Sequence, residues 1–73
     1  MSNEAKNICA WINSKNMKSG HYIDMGVFNI WCVSNYNVGA GKFIDAMDEL
    51  VALGYLEDRN PPGQEKVWDY WVA

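Results

Sequence analysis

Residues 36–56 read YNVGAGKFIDAMDELVALGYL, in which a polar turn leads into one amphipathic helix and a glycine that ends it. Phe43, Met47 and Leu50 recur at the spacing of one helical face and are expected to pack in the core. Gly54 stands where a helix C-terminus favours glycine, because glycine adopts the left-handed conformation without strain. This order is typical of the third helix of a helix-turn-helix that is followed by a β-hairpin wing.

The residues before this stretch predict a first helix, a short strand and a second helix. Ser2 or Asn3 can cap the first helix. A brief strand is expected at residues 21–23, and Asp24 can then cap the second helix at residues 25–36. The buried face of the first helix should be formed by Ala5, Ile8, Cys9 and Ile12, with Trp11 beside it.

The second predicted helix is short and very apolar. Phe28, Trp31 and Cys32 share one face of it, and Val27 and Ile30 broaden that face. We therefore expect this helix to be nearly all buried.

The C-terminal residues predict a β-hairpin. Residues 55–59 have the pattern of a strand, residues 60–64 contain two prolines and form the hairpin tip, and residues 65–72 form the return strand. The sequence thus predicts an α+β fold, a winged helix-turn-helix with three helices and a C-terminal β-hairpin wing. At this length we expect a single domain over residues 1–73.

The charge of the chain is unevenly distributed. Its formal net charge is −3, and because nucleic-acid-binding domains usually carry a basic face, this balance argues against an obligate nucleic-acid binder. Residues 1–42 hold four lysines against two acids, a net charge of +2, whereas residues 43–73 hold two cations against seven acids, a net charge of −5. The acidity therefore lies in the part that contains the third helix and the wing.

Residue patterns that would indicate catalysis or metal binding are missing from the sequence. Cys9 and Cys32 lie far apart without a CxxC pair, and His21 is a lone histidine, expected at a cap or on the surface. Residues 39–42, GAGK, lack the spacing and the Ser or Thr of a phosphate-binding loop. We expect no enzyme activity, no cofactor and no metal.

The sequence also indicates a location. The first residues lack the basic and apolar regions of a secretion signal, and no apolar segment approaches the roughly 20 residues that span a bilayer. We expect a cytoplasmic protein with two reduced, buried thiols and no membrane contact.

Residues 38–56, VGAGKFIDAMDELVALGYL, resemble without a gap the recognition-helix region of the gamma domain of the FtsK and SpoIIIE DNA translocases. The continuation EDRNPPGQEKVW is similar to that family's wing in length and turn chemistry, so the resemblance covers about half of the chain. It implies a small winged helix whose third helix reads duplex DNA. No motor domain is present in these residues.

The resemblance also allows the DNA-reading surface to be compared position by position. Ser34, Asn35 and Asn37 stand where the family tends to place Arg or Lys, and Asp45 stands where it has another Arg. Lys42 keeps its positive charge, so one of these five usually basic positions is conserved in character. Gly41 replaces an Asn of the family.

The first predicted function is a DNA-binding regulator, with the third helix in the major groove and the hairpin wing on the backbone. Because it has few cations, such a module should bind weakly at physiological salt, and a homodimer would be needed. The predicted contacts with double-stranded DNA are Asn35, Asn37, Gly39, Gly41, Lys42, Asp45, Arg59, Gln64 and Lys66.

The alternative is an acidic winged-helix module that binds a basic protein partner. It would act as a DNA mimic or an inhibitor of a nucleic-acid-processing complex, which would suit a phage or another mobile element. Trp71 either covers the first helix near Trp11 or stays exposed as a patch for a partner or a second copy. The predicted contacts are Asp45, Asp48, Glu49, Trp68 and Trp71. The simplest alternative is that the acids only form a solvated helix face.

Overall fold

The computed structural model describes residues 1–59 and 69–73, and it confirms the α+β class. Three helices and a small three-stranded antiparallel sheet form a layout compatible with a winged helix. A 3₁₀ turn, Ala40–Phe43, leads directly into the third helix. The elements are α1 Asn3–Ser14, β1 Tyr22–Ile23, α2 Met25–Tyr36, α3 Ile44–Ala52, β2 Leu56–Asp58 and β3 Tyr70–Val72.

The last strand lies in the middle of the sheet. The strand order is β1-β3-β2, with Ile23 opposite Tyr70 on one side and Leu56 opposite Val72 on the other. β2 and β3 pair antiparallel, as the predicted hairpin requires, and β2 is shorter than the predicted strand at residues 55–59. The predicted tip at residues 60–64 and the start of the return strand at 65–68 lie outside the described residues.

Side-chain caps begin the first two helices where the sequence places them. Ser2 Oγ accepts from the Ala5 amide at 3.1 Å, and Asp24 Oδ1 accepts from the amides of Gly26 and Val27 at 2.8 and 3.1 Å. These bonds satisfy backbone donors that have no partner inside a helix.

Gly54 ends α3, as the sequence predicts. Gly54 has φ of +85°, its amide donates to the carbonyl of Val51 at 3.0 Å, and the Tyr55 amide donates to the carbonyl of Leu50 at 2.9 Å. This pair of bonds is the Schellman arrangement, which turns the chain from the helix into β2.

The core lies between the three helices and the inner face of the sheet. Tyr70 is its largest fully buried side chain, which shows that the sheet supplies core residues as well as an edge. The buried residues are Ala5, Ile8, Trp11, Ile12, Ile23, Phe28, Cys32, Ala40, Phe43, Ala46, Met47, Leu50, Leu56 and Tyr70.

The expectation that α2 is nearly all buried is wrong. Within α2 only Phe28 and Cys32 are buried, whereas Val27, Ile30 and Val33 are 46%, 66% and 47% exposed. Apolar residues surround this helix on all sides, so periodicity does not indicate which side the core covers. Only the packing of α2 against its neighbours determines which of its sides is exposed.

Aromatic contacts fix the direction of α1 along α2. The Trp11 ring lies 5.4 Å from the Phe28 ring and 5.6 Å from the Trp31 ring, between centroids. One turn earlier in α1, Asn7 Nδ2 donates to the Tyr36 hydroxyl at 2.6 Å. The N-terminal part of α1 therefore lies beside the C-terminal end of α2, and the two helices run antiparallel.

A pair of leucines in the same segment tests the core assignment. Leu50 is fully buried and Leu53 is 52% exposed, so Leu50→Ala should lower the free energy of unfolding by about 2–5 kcal/mol. Leu53→Ala should change it by about 0.5 kcal/mol or less. Urea denaturation followed by tryptophan fluorescence measures both, and equal losses would contradict the described core.

Candidate interaction surfaces around the third helix

A side chain of α2 that the sequence analysis did not identify forms a hydrogen bond with the connection between α2 and α3. Asn29 Oδ1 accepts from the Ala40 amide at 2.8 Å, and a Cβ added to Gly39 would lie 3.2 Å from the same oxygen. Asn29 thus caps the first turn of the segment that leads into α3. Its partner is eleven residues away, so no local motif reveals it.

Three backbone amides of this connection, those of Asn37, Ala40 and Lys42, donate within the protein. Asn37 adopts the left-handed conformation at φ of +57° and its amide donates to the carbonyl of Val33 at 3.0 Å. The Lys42 amide donates to the carbonyl of Gly39 at 3.2 Å. A contact between either of these two amides and a DNA phosphate would require such a bond to be replaced.

Lys42, in the 3₁₀ turn that leads into α3, lies among carboxylates. It lines a pocket together with Glu4, Asp45 and Glu49, and with Ser2, the residue that caps α1. No carboxylate of the described residues lies within 4 Å of its ammonium group. Three acids therefore share the pocket with Lys42 without forming an ion pair with it.

Asp48 and Glu49 do not form the freely solvated face that the sequence suggested. The Tyr70 hydroxyl donates to Asp48 Oδ1 at 2.7 Å, and the Ser2 amide donates to Glu49 Oε2 at 2.8 Å. Both acids are half-buried. They tie α3 to β3 and to the start of α1, which helix periodicity does not predict.

These contacts shift two pKa values in opposite directions. The hydrogen bonds from Ser2 lower the pKa of the Glu49 carboxyl, because they favour its ionised form. Burial raises the pKa of the Tyr70 hydroxyl, and its hydrogen bond to Asp48 adds to that shift. Tyr70 therefore stays protonated and able to donate, while Glu49 stays charged.

Arg59 is not a free cation for a DNA backbone. Its Nε and Nη2 lie 3.0 and 2.9 Å from Glu57 Oε2, and its guanidinium carbon lies 4.3 Å from the centre of the Trp71 ring. The cation is shared between a carboxylate and an aromatic face. Gln64, Lys66 and Trp68, predicted beside it, lie outside the described residues.

The interpretation in which Trp71 covers the first helix near Trp11 is wrong. Trp71 is half-buried against Tyr22, with 4.9 Å between ring centroids, on the side of the sheet that also carries Arg59. Strand alternation turns Val72 to the other side, where it packs on the core. Trp71 thus belongs to an aromatic and ionic cluster of the sheet.

The remaining described contacts predicted for DNA are exposed. Asn35, Asn37, Gly41 and Asp45 are exposed near the connection between α2 and α3, and Asn35 Nδ2 donates back to the carbonyl of Trp31 at 2.9 Å. Along α3, residues 45, 48 and 52 share the outward face, because their spacing of three and seven residues matches the helix period. That outward face of α3 carries two carboxylates and an alanine, and no cation.

Other expectations concern the thiols, metals and membranes. Cys32 is buried but Cys9 is only half-buried, so the prediction of two buried thiols is correct for Cys32 alone. Residues 1–59 and 69–73 contain no group of three or more His, Cys, Asp or Glu placed to hold a metal ion. Nor does any helix within them have the length and apolarity to cross a membrane.

Removing the Asn29 cap should destabilise the connection. Asn29→Ala should lower the free energy of unfolding by about 1 kcal/mol, within the range of about 0.5–2 kcal/mol for a lost cap. Asn29→Asp keeps the acceptor oxygen and should lose less. Asn35→Ala, which removes only the bond back to Trp31, is the matched control in urea denaturation, and an equal loss there would contradict the capping role.

The Glu49 contact should make stability depend on pH. Because its folded pKa lies below the unfolded value, it stabilises the native state above the unfolded pKa, about 4.3, and this contribution is lost as the pH falls through the folded value. Glu49→Gln should therefore be less stable than wild type near neutral pH, and the difference should shrink on acidification. A difference in urea midpoint that stays constant down to about pH 2 would contradict this.

Comparison with known protein families, with curated proteins and with solved structures found no match to this chain. The resemblance of residues 38–56 to the FtsK and SpoIIIE gamma domain therefore stays a prediction, and the surfaces described above are the basis for assigning a function.

Proposed function

We propose that the chain is a protein-interaction module that binds a basic segment of a partner protein. The binding site is the acidic surface, which we define as Glu4, Asp45, Asp48 and Glu49. The observation that carries the proposal is the position of Lys42, because this cation of the turn that leads into α3 shares its pocket with three carboxylates. A polyanion would meet net negative charge there.

The charge of the acidic surface survives its internal contacts. Glu49 accepts a hydrogen bond from the Ser2 amide, which is a neutral donor and leaves the carboxylate charge in place. The α-amino group of Met1 lies 3.9 Å from Glu49 Oε2 in a partly exposed pair. The three carboxylates that line the pocket, Glu4, Asp45 and Glu49, against this amine and Lys42 give a formal charge of −1, which attracts cations.

A basic partner also suits the place of this surface in the fold. In a winged helix that binds DNA, the outward face of the third helix lies against the polyanion. Here the same face carries Asp45 and Asp48, so it presents negative charge where a DNA reader presents positive charge. This supports a partner whose own site accepts nucleic acid, and hence a role as a DNA mimic or an inhibitor.

A cytoplasmic location forms part of this proposal. Cys9 and Cys32 are both free thiols in the structure. Unpaired cysteines are typical of a reducing compartment, where structural disulfides do not form.

DNA binding is the second candidate. Asn37, Gly41 and Lys42 are exposed at the start of the third-helix segment, where a DNA reader of this layout makes its contacts. Against it stand the Arg59–Glu57 pair and the acids around Lys42. Among the described residues of this segment, Lys42 is the one cation that can neutralise a phosphate, so the affinity for DNA at physiological salt should be low.

A pair of charge reversals separates the two candidates. Binding of a labelled oligo-arginine peptide and of a labelled DNA duplex is followed by fluorescence anisotropy at about 50 and 200 mM salt. Asp45→Lys should weaken peptide binding about tenfold or more, because it places a like charge at the centre of the acidic surface. Glu57→Lys changes the net charge equally on β2 and should have a much smaller effect.

The DNA arm has the opposite expectation. If the chain reads DNA, Asp45→Lys should tighten binding to the duplex, Lys42→Ala should weaken it, and the complex should be salt-sensitive. Peptide binding that responds equally to both reversals would show general attraction to an acidic protein and would overturn the proposed site.

A further inference from the structure

The outward face of α2 is apolar and uncharged. We call it the α2 face and define it as Val27, Ile30 and Val33, which are 46%, 66% and 47% exposed. Ile30 is the most exposed large apolar side chain of the described residues. No residue of the twelve in α2 carries a charge. A contiguous apolar face of this kind on a small charged protein indicates an interface.

The α2 face is symmetric about its middle. Val27 and Val33 lie three residues before and after Ile30, so all three project within one side of the helix. If a second α2 packs antiparallel across this face, Ile30 meets Ile30 of the second copy and Val27 meets Val33 of the second copy. One surface is then complementary to itself, as a two-fold contact requires.

We propose that the chain forms a two-fold homodimer through the α2 face, with the two α2 helices antiparallel and Ile30 at the axis. Twelve residues make each helix about 18 Å long, so the contact can extend over three turns. The dimer uses residues separate from the acidic surface, and it goes beyond the function proposed above.

The charge distribution favours a second copy at this face. The chain carries a net charge of −3, yet α2 contributes none of it, so two copies can meet there without bringing carboxylates of this helix together. A charged partner would find no complementary charge on α2 itself.

Lys15 adds a specific complementarity. Because α1 runs antiparallel to α2, Lys15 lies toward the N-terminal half of α2, where it lines a cleft of about 430 Å³ with Trp11, Val27 and Ile30. In the two-fold arrangement it approaches the C-terminal turn of the second copy's α2. That turn has no basic residue of its own, and the carbonyl end of a helix attracts a cation.

The available area predicts a weak dimer. A standard interface buries about 800 Å² on each partner, which would be about a sixth of the 4650 Å² that this chain exposes. One helix face with its flanking cleft falls toward the lower end of that range. We therefore expect a dissociation constant of about a micromolar or weaker, and a monomer–dimer equilibrium that depends on concentration.

Sedimentation equilibrium over a concentration series tests the dimer. Wild-type protein should approach twice the monomer mass of 8.3 kDa as its concentration rises toward the millimolar range. Ile30→Glu should remain monomeric throughout, because it buries two like charges at the axis. Leu53→Glu adds the same charge at an exposed leucine beyond α3 and should dimerise like wild type.

Circular dichroism checks that both variants fold, which the exposure of the two side chains predicts. A wild-type protein that stays monomeric would overturn the proposal, as would a dimer that resists Ile30→Glu. A dimer that is lost in Leu53→Glu but kept in Ile30→Glu would place the contact at the end of α3 and would also overturn it.

The orientation has its own test. Lys15→Glu should weaken the dimer about two- to fivefold or more in a salt-sensitive manner, because it removes the cation at the second copy's helix end. Lys18→Glu changes the same charge at an exposed loop residue outside the cleft and should have a smaller effect. Equal effects would exclude the antiparallel arrangement.

Discussion

The hydrogen bond between the Tyr70 hydroxyl and Asp48 joins the sheet of this small fold to its third helix. Tyr70 belongs to the central strand, is fully buried, and lies opposite Ile23 of the first strand. Through its 2.7 Å bond to Asp48, the same residue fixes the sheet to the outward side of α3. A chain of 73 residues has little core to spare, so one side chain that serves the sheet, the core and a helix has a large share in holding the elements together.

Local signals in the sequence predict much of this fold. Asp24 caps α2, Gly54 ends α3, and the two-residue strand β1 lies within the predicted range of residues 21–23. Each of these features depends on neighbours within a few residues, and the chemistry of capping and of glycine is the same in every chain. Helix positions and fold class follow from such signals. The tip of the predicted wing lies outside the described residues.

The features that sequence reasoning missed depend on distant partners. Glu49 meets Ser2 across 47 residues, and Asn29 meets Ala40 across eleven. Periodicity marks Glu49 as outward, which is correct for its helix, but it does not show that another element lies there. The exposed side of α2 was missed for a related reason, because a helix that is apolar all round looks buried on every side until its neighbours are known.

The cap that Asn29 provides links two surfaces of the protein mechanically. Asn29 precedes Ile30 of the α2 face, and its side chain holds the amide of Ala40, the first residue of the turn that leads into α3. Glycine at position 39 suits this contact, because a Cβ there would lie 3.2 Å from the same oxygen. A rotation of α2 about its axis would stretch this bond and remove the partner of the Ala40 amide, so the α2 face and the turn before Lys42 are coupled through one hydrogen bond.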